Sequence, residues 1–415
     1  MRLLITSEGH FSRGPGDKIY ADGPAKYSSW ANYLEAFDEV VILARVAANQ
    51  NNASEAARAD GPCISFCALS DYHGPWQYLK NLPDLRCRVR ETVARCDAFI
   101  PRVPGLVGRL AWQELMSQGK KYALEVVGDP WDALGPGTWP GIFRPVFRRT
   151  ATRNLKKMCA GAMAIHYVTQ NALQRRYPPA KDAYSVGFSD ALMDFAFAKP
   201  ETIEKRYRRL DELAAPSSHG GNPLRIGFIG SLAQMYKGPD VLLRAAAFCR
   251  NRGLNLELTL VGGGRHAPQM RALAQRLGIE DRTRLAGQLP SGPPIFDFLD
   301  SVDLFVMPSR AEGLPRALLE AMARGCPCIG SDVGGIPELL AADELVPPSD
   351  PAALAEKILE VAANSGGLRS MARRNLEIAR QFSPELLKEV RRDFLRYVRL
   401  HSATEVRPAC NATAG

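Results

Sequence analysis

The chain has no apolar run near the roughly 20 residues that a membrane-crossing helix needs, which excludes an integral helical membrane protein. Its nine cysteines include no C-x-x-C pair, so neither a disulfide framework nor a zinc knot is indicated, and the thiols read as small buried hydrophobes in a reducing compartment. The six histidines have no partners at metal-ligand spacing, and no metal site is expected from them. The start, MRLLITSEGH, lacks the longer apolar core and small-residue cleavage site of a secretory signal. It reads as the first strand of a domain made in the cytoplasm. A nicotinamide-dinucleotide site is not expected at LTLVGGGRHAPQM, because the last glycine of G-x-G-x-x-G is missing there and Pro268 and Gln269 follow.

What is present is an ordinary globular composition, 46% hydrophobic and 23% charged, spread over 415 residues. That length predicts two domains. The net charge of +9 points to an anionic partner. The densest basic stretch, Gly141 to Met158, interleaves Phe143 and Phe147 with Arg144, Arg148, Arg149, Arg153, Lys156 and Lys157. A solvated helix face is one reading of it; peripheral docking on anionic lipid is the sharper one, since apolar wedges beside cations suit an interface. No recognition motif accompanies the charge, so no nucleic-acid partner is expected.

In the first half, apolar runs at RLLIT, EVVILARV, DAFIPRV, YALEVVGD and AMAIHYVT alternate with helix-like stretches. The second half repeats this at LRIGFIG, LELTLVG, TRLAGQL, DLFVMPS and PCIGSD, after a breaker-rich linker at Ala215 to Pro223. The predicted class is α/β, two Rossmann-like domains facing a cleft where open parallel sheets bind ligands. The expected boundaries are 1–215, 216–382, an amphipathic helix over 383–401 that could cross back to the first domain, and a disordered tail over 402–415. The Asn411 glycosylation triplet in that tail reads as coincidence. His166, inside an apolar run, is expected in the core.

Three strand-to-loop transitions in the second half carry glycines. In GFIGSLAQMYKGPDVLL a strand ends at Gly230, and Lys237 precedes a helix whose N-terminal amides suit a diphosphate. Gly262 follows the second strand. In PSRAEGLPRALLEAMARGCPCIG, Pro315 suits the first helical position and Gly325 the stop. Glu312 then lies before the helix and Glu320 inside it, so both can approach one ligand. Carboxylates accept from sugar hydroxyls, and the amides of Gly313 and Leu314 suit phosphate oxygens, a combination that a nucleotide sugar requires.

EGLPRALLEAMARGCPCIGSDVGGIPELL resembles the E-x7-E region of the family 4 glycosyltransferases, and the likeness extends over the second half through GFIGSLAQMYKGPDVLLRA and LVGGGRHAPQMRALAQRLGIEDRTRLAGQLP. The resemblance implies the GT-B architecture and a retaining, metal-independent transfer without a cofactor, from a nucleotide diphosphate sugar of UDP or GDP type. The absence of a D-x-D motif fits that. It implies that Glu312 contacts donor-sugar hydroxyls, with Gly313, Leu314 and Pro315 on the phosphate side. Glu320 would hold the ribose, Lys237 the leaving diphosphate, and Gly287, Gln288 and Leu289 the base.

Two positions depart from the family pattern. Ser231 stands where an arginine is usual, with Arg265 and Arg310 as candidates to replace its charge. Asp129 stands near a usual histidine and is a candidate catalytic residue or merely a turn cap. The opening loop resembles that of bacterial polysaccharide glycosyltransferases, with Gly14 and Gly16 letting the backbone approach the cleft; His10 and Arg13, at the end of the first strand, face the acceptor in one reading, and in the other His10 is a structural hydrogen-bonding residue. The expected activity is hexosyl transfer to a lipid-linked or polysaccharide acceptor at the inner face of a bacterial membrane. A nucleotide-sugar epimerase of the same architecture and a silent nucleotide-binding scaffold are the alternatives.

Overall fold

A computed structural model describes residues 1–23, 25–47, 57–72, 74–135, 143–188, 197–214, 222–364 and 366–402. The expected tail beyond Ser402, which itself ends a helix, lies outside them, as do Asn411, most of the linker, His73, His219 and the first two residues of the basic stretch.

The apolar runs become strands because parallel strands covered by helices on both faces must be hydrophobic throughout. In the first half, β1 (Arg2–Arg13), β2 (Ile19–Ala21), β3 (Glu39–Ala47), β4 (Ile64–Ser70) and β5 (Ala98–Ile100) form one sheet, ordered β2-β1-β3-β4 with β5 also on β1. The sheet of β6 (Arg102–Val103), β7 (Ala123–Val126), β8 (Ala164–Tyr167) and β9 (Tyr184–Gly187) follows in that order. Pro101, which has no N–H, separates β5 from β6, and there the segment changes partner from β1 to β7. The two sheets are thereby continuous.

The second half holds one parallel sheet. With β10 (Leu224–Ile229), β11 (Leu256–Val261), β12 (Thr283–Gly287), β13 (Leu304–Met307), β14 (Cys328–Ser331) and β15 (Leu345–Val346), its order is β12-β11-β10-β13-β14-β15. This is the doubly wound 3-2-1-4-5-6 order, whose direction reverses between β10 and β13. Loops leaving those two strands part to opposite faces and open a crevice. Lys237 follows β10 and Glu312 follows β13.

The sheet expectations hold, but the helix Pro200–Ala214 does not sit in the domain to which a boundary at 215 assigns it. Buried Arg206 donates to the carbonyls of Leu299, Val302 and Arg324, and Leu210 joins the second core. Ala198 N already bonds Ala323 O, so the chain has crossed before this helix begins. The stretch richest in breakers is therefore flanked on both sides by elements of the second domain.

The chain crosses back after Phe382, which packs in the second domain. The helix Pro384–Ser402 buries Leu387, Phe394, Leu395 and Val398 in the first domain's core. Arg399 donates to Ala36 O and pairs with Asp38. His166 is in the core as expected, its Nε2 2.9 Å from Phe188 O and its ring stacked on Phe188. Among the described residues no helix is long and apolar enough to cross a membrane.

Candidate active site

A cleft of about 1210 Å³ lies between the carboxyl ends of the two sheets. The second domain contributes Gly230, Ser231, Lys237, Leu289, Glu312, Gly313, Leu314, Pro315 and Glu320 to its wall. These are most of the donor-side residues read from the sequence, brought together from three loops and one helix.

The backbone there is packed too closely for side chains. A Cβ on Gly262 would lie 1.8 Å from Gly230 O, and one on Gly238, which has φ +70°, would lie 2.0 Å from Pro308 O. The second contact fixes the turn Met235–Lys237 under the end of β13. Lys237 Nζ is thus delivered to Glu312 Oε1 at 2.6 Å, and Ser309 Oγ donates to the same oxygen at 2.7 Å. Burial pushes the Lys237 ammonium down, but the Glu312 charge, with help from Tyr236, more than offsets it and raises the group above its ordinary value. The pair is buried, and Lys237 stays charged.

Pro315 is the N-cap of the helix Arg316–Ala323 rather than its first residue, and Gly325 ends it at φ +69°. Glu320, one turn in, faces the cleft beside Arg316 at 3.5 Å. Burial raises its carboxyl above the usual range, against the opposing pull of Arg316. A carboxylate without enough compensating donors is suited to take hydrogen bonds from a ligand's hydroxyls.

The first domain faces these groups with Ser7, Glu8, Trp30, Arg102, Val127, Gly128 and Asp129. A Cβ on Gly313 would come within 2.9 Å of Val127 O, so glycine is required where the two walls meet. Asp129 is on the cleft, but its carboxylate is already engaged. It caps its own turn through Trp131 N at 2.8 Å, accepts from Tyr177 Oη at 2.5 Å, and pairs with Arg176. The catalytic reading of Asp129 gives way to a bracing one, because both oxygens hold the wall together.

Several expected residues are elsewhere. Gly262, Gly287 and Gln288 do not line the cleft; Gly287 takes φ +72° in a turn whose carbonyl accepts from Gly262 N. His10 lies 3.5 Å from Asp71, and Arg13 pairs with Asp17 four residues on. Neither lines the cleft, because β1 runs on past it for several residues. Gly14 lies against the Tyr20 ring and Gly16 supplies a φ of +69°, so both serve the local turn. Arg310 is a structural staple, bidentate to Asp240 and bonded to Met235 O, and Arg265 contacts His266. It is Arg316 that supplies the second cation on the second-domain wall.

Sequence reasoning missed Glu8, Arg102 and Arg391. Glu8 accepts from Val107 N at 2.6 Å, and burial raises its carboxyl despite that bond and the nearby Arg45. Arg102 lies 3.3 Å from the buried Glu125. Arg391 reaches the cleft only because the last helix returns to the first domain, where its guanidinium lies 5.4 Å from the Phe188 ring centre. No spacing signal connects residue 391 to either half of the site. Among the described residues no group of three or more His, Cys, Asp and Glu side chains could hold a metal ion.

Residues 223–364 match the family model described as Glycosyl transferases group 1. The chain is 26% identical to protein CapJ of Staphylococcus aureus over 336 residues, 80% of each chain. It is 33% identical to the putative colanic acid biosynthesis glycosyltransferase WcaL of Escherichia coli over 152 residues, 34% of this chain and 37% of that one. Its fold matches that of Anabaena Alr3699/HepE, solved with UDP and glucose, with a TM-score of 0.65 over 95% of this chain and 99% of the other, at 18% identity.

Proposed function

We propose, from the match of residues 223–364 to the group 1 glycosyl transferases, that this chain moves a sugar from a nucleotide diphosphate sugar to a hydroxyl of a polysaccharide or lipid-linked acceptor. The likeness to CapJ and WcaL supports assembly of a bacterial surface polysaccharide as the setting.

The observation that carries this reading is the convergence of Lys237, Glu312 and Glu320 on one cleft at the point where the sheet order reverses. The donor diphosphate lies against Lys237 and the amides of Gly313 and Leu314, with Glu320 on the ribose and Glu312 on the sugar. As the glycosidic bond breaks, charge grows on the departing diphosphate. A fixed ammonium stabilises that charge most in the transition state, without solvent having to reorganise. The acceptor enters along the first-domain wall at Gly128, Glu8 and Arg102.

Transfer with retention, needing neither metal nor cofactor, is part of the same proposal. A UDP-type donor is favoured over a GDP-type one by the fold's likeness to a protein solved with UDP. The exposed Phe143, Val146 and Phe147 beside the arginines of the helix Arg144–Gly161 support peripheral contact with anionic lipid at a cytoplasmic membrane face.

The test is thermal unfolding with UDP, GDP, ADP and NAD, each with and without EDTA. A ligand at about 100 times its dissociation constant adds roughly 2.7 kcal/mol. A shift with one nucleotide diphosphate, unchanged by EDTA, is the expected result. No shift with any nucleotide would overturn the donor-site reading.

A further inference from the structure

The turn that follows β14, Ile336–Glu338, holds two parts of the cleft at once. On the donor side, Gly335 N donates to Gly313 O at 2.7 Å, and a Cβ on Gly334 would lie 2.1 Å from Glu312 O. The loop that carries Glu312 is therefore fixed on this turn.

On the other side, the Glu338 carboxylate reaches into the first domain. Its Oε2 accepts from Gln170 N at 2.7 Å, and its Oε1 accepts from Asn171 N at 2.8 Å and Ala172 N at 2.6 Å. These amides open the short helix Ala172–Arg176, whose own N-cap residue, Asn171, makes no side-chain cap. Helix N-termini carry unsatisfied N–H groups and partial positive charge, and a carboxylate is their best partner. Here that partner comes from the opposite domain, 166 to 168 residues away in sequence.

The same short helix ends in Arg176, followed by Tyr177, and these two hold Asp129. A path of hydrogen bonds joined by short stretches of chain thus runs from Gly313 to Gly335, along the turn to Glu338, across to Asn171 and Ala172, and along the short helix to Arg176, Tyr177 and Asp129. One turn sets the donor loop and the first-domain wall relative to each other.

We infer that Glu338 is a positioning residue for transfer: by tying the two domains together it fixes the first-domain wall, and the acceptor bound on it, against the donor sugar. This rests on the transferase reading. The donor contacts proposed above all lie in the second domain, so losing Glu338 leaves donor binding intact and misplaces the acceptor. Misplacement of reacting groups by about 1 Å can cost roughly a hundredfold in rate.

The experiment compares wild type, Glu338→Ala and Glu338→Gln. Donor affinity is read by UDP titration, hydrolysis with UDP-glucose alone, and transfer with UDP-glucose and octyl glucoside. For Glu338→Ala, kcat for transfer is expected to fall by about tenfold to a hundredfold, while UDP affinity and hydrolysis stay within about twofold. Glu338→Gln keeps a carbonyl oxygen for Asn171 and Ala172 and is expected to recover most of the loss. Hydrogen exchange at Asn171 and Ala172, measured without substrate, is expected to speed up in the alanine variant alone, whereas Gln170, whose acceptor Oε2 is lost in both, is expected to speed up in both variants.

Equal losses of transfer, hydrolysis and UDP affinity would show a merely structural role and overturn the inference. So would unchanged transfer or unchanged exchange in the alanine variant. Failure of wild type to bind any nucleotide would overturn the transferase reading instead, with the exchange rates still deciding whether the domains are tied through Glu338.

Discussion

Lys237 Nζ and Glu312 Oε1 lie 2.6 Å apart, each from a different strand-to-loop transition and each more than 80% buried at the side chain. The groups proposed to meet the diphosphate and the sugar hold each other. Removing one partner leaves an uncompensated buried charge, which is more damaging than removing both.

The pair therefore predicts strong coupling. Lys237→Ala is expected to lower kcat/KM by roughly a hundredfold to a thousandfold, the range for losing one fixed charge-stabilising donor. Glu312→Ala is expected to act mainly on kcat. The double variant should be much less impaired than the product of the single effects. Steady-state kinetics on the four proteins reads this directly, and independent, multiplying losses would refute the coupling.

Glu320 gives a prediction with a pH sign. Its carboxyl is raised in the folded state, so between its unfolded and folded values the native protein binds more protons than the unfolded chain, and stability falls as pH rises through that window. Glu320→Gln removes that penalty. At pH 7 the variant is expected to melt no lower than wild type while binding nucleotide about tenfold more weakly. Paired melting curves and nucleotide titrations check it; a large drop in melting temperature would contradict it.

Asp129 should behave as a brace. Asp129→Ala loses the cap to Trp131 and the bonds from Tyr177 and Arg176, and is expected to cost on the order of 2 kcal/mol or more in stability. Asp129→Asn, which keeps an acceptor for the cap, should keep kcat per folded molecule within several-fold of wild type. A loss of kcat by a thousandfold in a fully folded Asp129→Asn protein would restore the catalytic reading.

The exposed Phe143 and Phe147 carry the lipid proposal. Vesicles with a third anionic lipid are expected to bind wild type in a salt-sensitive way, since each basic side chain near the surface contributes about 1 kcal/mol. Phe143→Ser with Phe147→Ser should lower the bound fraction several-fold in a flotation assay without changing UDP affinity. Equal flotation of the two proteins would place the contact elsewhere.

The parallel strands were legible because strands buried on both faces read as unbroken apolar runs, as in β3 and β13. Strand β4, ISFCALS, was not, since only Ile64 and Leu69 of its side chains are fully buried at this sheet edge. The second-domain wall was legible because one ligand of the proposed kind dictates carboxylates, glycines and a cation close to strand ends. The first-domain wall was not: Glu8 sits inside a strand, and Arg391 is delivered by a helix that no local pattern ties to the cleft. The domain boundary was misplaced for a related reason. Breakers mark where a chain is irregular, whereas Arg206 shows where the preceding helix is held.

The two crossings, before Ala198 and after Phe382, make the second domain topologically a guest inserted into a host whose last piece is the helix Pro384–Ser402. A host fragment cut at the linker would carry a misplaced guest helix and lack its own. Grafting a different donor specificity onto this scaffold therefore requires two seams, one on each crossing, and the incoming guest must bring a carboxylate to the place of Glu338 to dock.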